Sequence, residues 1–232
     1  MTPALLVCDL GRRRYGDVLA LQRTLAAQRA AGERDEDLLL LVEHEPVVTL
    51  GRTTAATSLP LSSEELARRG IEVFNVERGG DVTWHGPGQL VGYPILDLRA
   101  QREDLHWYLR TLEDVLIDSL EALGIPADRN PGRTGVWTAG RKIASIGVHV
   151  KRWVTYHGFA LNVTNALEGF ELIVPCGLHG VVMTSVQVER GGSDDPAALD
   201  TLVRERVVAT FASAFARTPV AVPAASLELE TA

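Results

Sequence analysis

Lysine and cysteine are scarce in this 232-residue chain, which has Lys142 and Lys151 beside 21 arginines, and Cys8 and Cys176 as its two cysteines. Two cysteines cannot form a disulfide framework, and these two lack the paired spacing of a zinc site. We therefore predict neither a disulfide-stabilised secreted fold nor a metal centre. Two free thiols are typical of a reducing cytoplasm.

A basic surplus and a long apolar run are also missing. The formal net charge is −7 and the pI is about 5.4, whereas nucleic-acid-binding domains usually carry a basic balance or stripe. No stretch approaches the roughly 18 uninterrupted apolar residues of a membrane helix, and charged residues from Asp9 to Arg14 interrupt any N-terminal signal segment. We expect a soluble, cytoplasmic protein that binds neither nucleic acid nor membrane.

The pattern of apolar residues predicts an α+β fold. The clearest helix spans residues 104–123, where leucines recur at helical spacing and Gly124 supplies the C-terminal stop. Short apolar runs predict strands at residues 4–10, 38–42, 47–50, 71–76, 135–138, 142–150, 155–163 and 183–188. Longer amphipathic segments predict three other helices, at residues 15–33, 62–70 and 195–215.

These elements predict one domain, residues 1–217, in which helices flank a mixed β-sheet. The remaining residues, 218–232, are rich in alanine and proline. We expect this tail to be loosely ordered.

The most unusual stretch, residues 78–90, reads R-G-G-D-V-T-W-H-G-P-G-Q-L. Its four glycines would let the backbone approach a ligand closely and present N–H groups to an anion or an acyl carbonyl. The alternative is two ordinary turns flanking a strand. The stretch is not a P-loop, and it lacks G-x-G-x-x-G.

A second stretch, residues 140–149, reads G-R-K-I-A-S-I-G-V-H. Regular alternation would place Lys142 on the same strand face as Ala144, Ile146 and Val148. Desolvation on such a face favours the neutral amine, which can exchange protons near neutrality, as a guanidinium cannot. The alternative is a lysine at the strand end whose ammonium extends into water.

The third feature is Cys176, which lies between proline and glycine and therefore at a turn, where its sulfur could face a substrate. A free thiol has a pKa of about 8.5, so a nucleophilic cysteine needs a cationic neighbour. Lys142 is one candidate for that neighbour, and spacing does not separate it from the histidines His85, His149, His157 and His179. Cys8 lies within an apolar strand, so we predict a buried, inert thiol there.

Small residues mark the strand at 157–163. Gly158 and Ala160 share one face, and together with Gly147 they would leave a thin slot that admits an alkyl chain but not a sugar or a base. Close contact with a helix is the alternative reason for such small residues.

Four motifs in this order resemble those of the lipoate-biosynthesis octanoyltransferases: the stretch at 78–90, G-R-K-I-A-S-I-G-V at 140–148, H-G-F-A-L-N-V at 157–163 and P-C-G at 175–177. The resemblance spans roughly residues 4–190. It implies the biotin/lipoate protein ligase fold, a mixed sheet flanked by helices with a smaller second sheet. It also implies transfer of an octanoyl group from acyl carrier protein to a lysine of the lipoyl domains of 2-oxoacid dehydrogenase complexes and of the glycine cleavage H protein.

The resemblance also implies roles for particular residues. Cys176 corresponds to the nucleophile that carries the acyl thioester, and Lys142 to the partner that promotes its ionisation. The acyl site corresponds to Arg78, Gly79, Gly80, Asp81, Val82, Thr83, Trp84, His85, Ser145, Ile146, Gly147, Gly158, Phe159 and Ala160.

Thioester exchange followed by amide formation runs downhill, so we expect no ATP, metal or other cofactor beyond the phosphopantetheine that carries the acyl donor. One methylene changes affinity only about fourfold. A preference for octanoyl over decanoyl therefore requires a closed pocket end, whose residues the sequence does not identify.

Three other activities remain open at this point. An ATP-dependent lipoate or biotin protein ligase on the same fold would activate a free acid and would not need the cysteine. A Cys–His hydrolase would release octanoate to water. A carrier-protein-binding module would form no covalent adduct on Cys176.

Overall fold

The computed structural model describes residues 2–174 and 181–227, and within them an eight-stranded mixed sheet organises the fold. The strand order is β11-β1-β2-β6-β10-β9-β8-β7. Parallel pairing joins β11, β1 and β2, and the other neighbours in the sheet are antiparallel. These strands are β1 (Ala4–Arg13), β2 (Asp37–His44), β6 (Gln89–Ile95), β7 (Asp128–Asn130), β8 (Arg133–Thr138), β9 (Arg141–Lys151), β10 (Val154–Asn162) and β11 (Thr218–Ala221).

A smaller sheet of three strands packs nearby, with the order β4-β3-β5. Its strands are β3 (Val47–Leu50), β4 (Glu72–Asn75) and β5 (Thr83–His85). The predicted α+β class, with a mixed sheet and a smaller second sheet, is confirmed. The helices are α1 (Tyr15–Ala31), α2 (Ser63–Arg68), α3 (Leu105–Glu121), α4 (Val186–Glu189) and α5 (Pro196–Ala214).

Helices cover both faces of the main sheet, because its central strands are apolar on both sides. Leu39 and Leu41 of β2 pack with the apolar faces of α3 and α5 in one cluster. Leu38 and Leu40 of the same strand pack with α1 in a second cluster on the opposite face. The sheet thus separates a layer containing α3 and α5 from a layer containing α1 and the smaller sheet.

Side-chain caps fix the helix starts that the sequence predicts. Ser62 and Glu65 form the capping box that begins α2. Asp104 accepts a hydrogen bond from the Trp107 N–H at the start of α3, and Asp195 caps α5 in the same way. No helix within the described ranges has the length and apolar character to cross a bilayer.

The strand predicted at 183–188 is wrong. Met183 makes an isolated β-bridge, and Val186–Glu189 form the single-turn helix α4. The reason is local, because the Ser185 side chain accepts a hydrogen bond from the Val188 N–H and so favours helix initiation over an extended chain.

The structure also differs from the expected loose tail. Residues Thr218–Ala221 form β11, which pairs in parallel with the edge of β1, and Leu227 is buried. The guanidinium of Arg217 reaches the buried carboxylate of Asp37 at 2.8 Å and so brings the chain to the sheet edge. There β1 offers the backbone groups that an edge strand leaves unpaired.

Candidate active site

A cavity of about 320 Å³, with a mostly apolar surface, lies between the main sheet and the loop that leads into β5. Of the residues that the resemblance assigns to the acyl site, those lining it are Arg78, Gly80, Asp81, Val82, Thr83, His85, Ser145, Ile146, Gly147, Gly158, Phe159 and Ala160. Lys142 lines the same cavity. Segments from three of the four motifs therefore meet at one pocket, whereas Gly79 and Trp84 do not line it.

Arg78 ties the glycine-rich loop to the smaller sheet. Its guanidinium donates hydrogen bonds to the Thr49 carbonyl at 2.7 Å, to the Thr49 hydroxyl at 2.8 Å and to the Asp81 carbonyl at 2.7 Å. The side chain is buried, and charge-assisted bonds of this kind are roughly twice as strong as neutral ones. Arg78 thus fixes the loop that forms one wall of the pocket.

Two glycines, Gly147 of β9 and Gly51 just after β3, let the backbone of this loop lie directly on neighbouring backbone. The Gly79 N–H donates to the Val148 carbonyl of β9 at 2.9 Å. A Cβ at Gly147 would stand 2.9 Å from the Gly79 carbonyl oxygen, and one at Gly51 would overlap the Gly80 carbonyl. Gly147 is therefore small because the loop backbone lies over it, and not because a helix packs there.

Gly158 has a similar explanation, since a Cβ there would overlap the carbonyl of Gly92 and approach Pro94. Gly158 and Ala160 nevertheless both line the cavity. The cavity thus lies beside these residues, but neighbouring backbone occupies the space that side chains at Gly147 and Gly158 would fill, so these two glycines do not open the predicted slot.

Trp84 faces away from the pocket. Its ring lies between Gly86 and Gly169, where a Cβ at either glycine would overlap it, and it meets Phe170 edge-on at 5.5 Å. Trp84 belongs to the apolar cluster of the smaller sheet. Trp84 therefore packs within this cluster, behind the lining residues Thr83 and His85.

The predicted strand face of Lys142 is wrong, because β9 contains a bulge. Ala144 pairs with Val136 of β8, but Lys142 pairs with the very next residue, Trp137, so Ile143 is an extra residue in β9. Ile143 and Ala144 both pack in the core with α3, whereas Lys142 lines the cavity with Ser145 and Gly147. The bulge turns the lysine from the core face to the pocket face.

Lys142 is held from two sides. Its ammonium nitrogen lies 5.1 Å from the centre of the Trp137 ring, within cation–π distance. Its backbone N–H donates to the Val182 carbonyl at 2.8 Å, and its carbonyl accepts from the Thr184 N–H at 2.9 Å. The lysine is thereby fixed against the segment that follows residues 175–180.

Cys176 and His179 lie outside the described residues. The described residues on either side of that stretch are both tied to the pocket region. The Val174 N–H donates to the Ser58 carbonyl at 2.8 Å, and the Ser58 hydroxyl donates to the carboxylate of Asp81 at 2.8 Å. On the other side, Val181 lines the cavity.

Cys8, the other cysteine, is fully buried in β1. Burial, followed by the negative charge of Asp9, raises the pKa of its thiol. The prediction of a buried thiol at Cys8 is confirmed.

Residues that the sequence analysis missed also line the cavity. Tyr15, at the start of α1, and Tyr93, on β6, both line the cavity and are almost fully buried. The rings of His44 and His85 pack against Tyr15, with ring centres 5.1 Å and 6.1 Å from the centre of the Tyr15 ring. No motif marks these tyrosines, since one begins a helix and the other lies within a strand.

The buried histidines are neutral. Burial lowers the pKa of His85 to about 3 and that of His44 to about 4. The hydrogen bonds fit this, because His85 Nδ1 donates to Gln89 Oε1 at 2.7 Å and His44 Nδ1 donates to the Arg13 carbonyl at 3.1 Å.

His157 also lines the cavity, and burial lowers its pKa to about 4, against the opposing influence of Glu77. His149 does not line the cavity, and its ring bonds the Glu77 carbonyl. Since burial keeps His85 and His157 neutral, Lys142 is a better candidate than either histidine for a cationic neighbour of a reactive thiol.

Comparison with known proteins agrees with this arrangement. The family model "Lipoyl protein ligase A/B catalytic domain" matches residues 14–215. An octanoyltransferase of Geobacter sulfurreducens is 54% identical over 185 residues, which cover 80% of this chain and 75% of that protein. An octanoyltransferase of Gloeobacter violaceus is 50% identical over 196 residues, 84% of this chain and 82% of that protein.

Solved structures share the fold at low sequence identity. The bipartite lipoate protein ligase of Thermoplasma acidophilum, solved in a study that includes its E2 lipoyl domain, has a TM-score of 0.73 at 16% identity and covers 98% of this chain and 90% of that chain. A lipoate-protein ligase A bound with ATP has a TM-score of 0.71 at 17% identity, with 98% and 92% covered. The family model and the relatives at 50% identity or more show that this chain belongs to the octanoyltransferases of the lipoyl protein ligase A/B family.

Proposed function

We propose that this enzyme moves an octanoyl group from the phosphopantetheine thiol of acyl carrier protein to the side-chain amine of a lysine on lipoyl domains, through a thioester on Cys176. The observation that carries the proposal is the place of Lys142 on the wall of an apolar cavity of about 320 Å³. Such a cavity suits a flexible alkyl chain, and the lysine adds a group that can hold or release a proton beside it.

The first step exchanges one thioester for another. The Cys176 thiolate attacks the donor carbonyl, the carbon–sulfur bond to phosphopantetheine breaks, and the departing thiolate takes a proton. Lys142 first stabilises the Cys176 thiolate as a nearby cation and then supplies the proton to the leaving sulfur. The exchange is nearly isoenergetic because the bond formed is of the same kind as the bond broken.

The second step forms the amide. The acceptor lysine attacks the Cys176 thioester as a neutral amine, the carbon–nitrogen bond forms, and the Cys176 thiolate leaves. The attacking nitrogen must lose a proton during this step. Lys142, neutral after the first step, accepts that proton and returns to the ammonium form.

The contacts of the described residues support a meeting of Cys176 and Lys142. The hydrogen bond between the Val174 N–H and the Ser58 carbonyl fixes the chain before residues 175–180. The hydrogen bonds of the Lys142 backbone with Val182 and Thr184 fix the chain after them. The described residues on both sides of residues 175–180 are thus held at the pocket region.

The proposed reaction needs neither ATP nor a metal, because the donor thioester already carries the activated acyl group. This differs from a ligase, which must activate a free acid. The relatives at about half identity are octanoyltransferases, and the ligase alternative is not favoured. We also expect the enzyme to work in the cytoplasm, where its thiols stay reduced.

A reconstituted transfer reaction tests the proposal. Purified enzyme is mixed with octanoyl acyl carrier protein and an isolated lipoyl domain, with no ATP, and the lipoyl domain is weighed by intact-mass spectrometry. We expect one octanoyl group on the lipoyl domain. A domain that stays unmodified while free octanoate accumulates would identify a hydrolase, and modification only with ATP and free octanoate would identify a ligase.

A further inference from the structure

Two tyrosine rings close the end of the cavity that lies away from Lys142, and we propose that Tyr15 and Tyr93 set the length of the acyl chain that the enzyme accepts. The inference rests on the proposed function, because it supposes that the cavity holds the acyl chain with its carbonyl near Lys142. It identifies the closed pocket end that selection between octanoyl and decanoyl groups requires.

The cavity opens near Lys142 and is closed at the tyrosines. Three residues of the turn into β8, Gly132, Arg133 and Thr134, line the cavity and are exposed. Their neighbour Gly135 lies against the Lys142 side chain, since a Cβ there would stand 3.0 Å from the Lys142 Cε. Tyr15 and Tyr93, in contrast, are 1% and 4% exposed. A chain carried by a protein must therefore enter with its methyl end first and stop at the rings.

The sheet gives the scale of the distance between the two ends. Lys142 is on β9 and Tyr93 is on β6, with β10 between them, so two strand spacings of about 4.8 Å separate their strands. Along the strands, Gly147 pairs with Gly158, and the next residue of β10 pairs with Gly92. Tyr93 therefore lies in register with Gly147 across the sheet. Gly147 is about 15 Å along β9 from Lys142. The two long side chains take up part of this span, and a medium-length acyl chain fits the remainder.

Hydrogen bonds and ring contacts hold the tyrosines in place. The Tyr93 hydroxyl donates to His44 Nε2 at 2.7 Å, and the other nitrogen of that ring is bonded to the Arg13 carbonyl. The Tyr15 ring meets the His44 ring edge-on and stacks on the ring of His85 with an interplanar angle of 8°. Neither tyrosine can move aside for a longer chain without breaking buried contacts.

The histidine rings that contact the tyrosines are uncharged. Burial keeps His44 and His85 neutral, with pKa values of about 4 and 3. Tyr15 packs against the rings of His44, Phe74 and His85, and Tyr93 packs against the ring of His44. An apolar methyl end can lie against these rings, while the guanidinium of Arg78, which also lines the cavity, is hydrogen-bonded to the Thr49 and Asp81 carbonyls.

The experiment measures kcat/KM with octanoyl and decanoyl acyl carrier protein for the wild type and for Tyr93→Leu and Tyr15→Leu, each of which replaces a ring with a shorter side chain. Each methylene that a variant can bury in newly opened apolar space raises the affinity for the acyl chain about fourfold. We expect the decanoyl-to-octanoyl ratio of kcat/KM to rise about tenfold in either variant. Tyr15 is at the first turn of α1, where leucine is a good helix former, so that variant keeps the test available if Tyr93→Leu fails to fold.

Tyr108→Leu is the matched control. Tyr108 is a fully buried tyrosine on α3, packed on the opposite face of the main sheet, so its loss should lower stability without changing the ratio. An unchanged ratio in folded tyrosine variants that still transfer octanoyl groups would overturn this inference and leave the proposed function intact. A wild-type enzyme that transfers no octanoyl group would overturn the proposed function and this inference with it.

Discussion

Lys142 and Met183 form a parallel β-bridge, in which both backbone groups of the lysine are bonded to the residues flanking the methionine. The bridge joins the start of β9 to the segment that immediately follows residues 175–180. It therefore couples the position of the proposed proton-transfer group to the position of the chain that carries the proposed nucleophile.

Substitution of Lys142 should show that its proton is required. We expect Lys142→Gln to lower kcat/KM for octanoyl transfer by about 10²–10⁴-fold, the usual contribution of a general acid or base. Lys142→Arg should lower kcat/KM by a similar factor, because a guanidinium stays protonated. Lys151→Arg, at the exposed end of β9, is the control and should be close to wild type. Activity of Lys142→Arg within a few-fold of wild type would refute a proton-transfer role.

Arg78→Lys should detach the loop from the smaller sheet. An ammonium cannot reproduce the planar set of donors that reaches Thr49 and Asp81 together. With two or more charge-assisted bonds lost, we expect the free energy of unfolding to fall by about 2–4 kcal/mol. Urea denaturation measures this, with Arg52→Lys as the control because the Arg52 side chain is exposed. Equal losses in the two variants would show that Arg78 does not hold the loop.

The buried histidines should make the protein sensitive to mild acid. His44 has a folded-state pKa of about 4 because burial favours the neutral ring, and in the unfolded chain its pKa is about 6.5. Between these values the unfolded chain binds a proton that the folded protein does not, so stability falls as the pH falls from about 6.5 to about 4. Each such histidine contributes up to about 1.4 kcal/mol per pH unit.

The variant His44→Gln isolates this contribution. We expect the unfolding free energy of the variant, measured by urea denaturation at several pH values in this window, to depend less steeply on pH than that of the wild type. His106→Gln, at an exposed position, should leave the slope unchanged. Identical slopes for wild type and His44→Gln would contradict a neutral, buried His44.

The two cysteines should differ in reactivity. Cys8 is fully buried, and burial raises the pKa of its thiol, so it should resist alkylation in the folded protein. We expect one equivalent of iodoacetamide near neutral pH to label Cys176 and block octanoyl transfer, as located by peptide mass spectrometry. Cys8 should react only in denaturant. Preferential labelling of Cys8 in the folded protein would count against the proposed nucleophile.

The sequence predicts the large elements well, because apolar periodicity and helix caps are local signals. The helix predicted at 104–123 is found as α3, and the strand predicted at 47–50 is found as β3. The bulge at Ile143 could not be predicted, because it depends on how β9 pairs with β8 and not on either strand alone. One extra residue was enough to reverse the predicted face of Lys142.

The far end of the pocket escaped prediction for a related reason. Tyr15 and Tyr93 are 78 positions apart, and only the packing of α1 against β6 and β10 brings their rings to the same cavity. Likewise, the order of Thr218–Ala221 depends on the Arg217–Asp37 ion pair across the chain. Glycine-rich motifs, by contrast, mark backbone that must lie close to other backbone, and the family resemblance that these motifs carry identifies most of the pocket.

The most direct test of the central claim is the intact mass of the enzyme after incubation with octanoyl acyl carrier protein and no acceptor. We predict a gain of one octanoyl group on the wild type and on Cys8→Ala, and no gain on Cys176→Ala. An octanoyl adduct that persists on Cys176→Ala, or an acceptor that this variant octanoylates at the wild-type rate, would contradict the account.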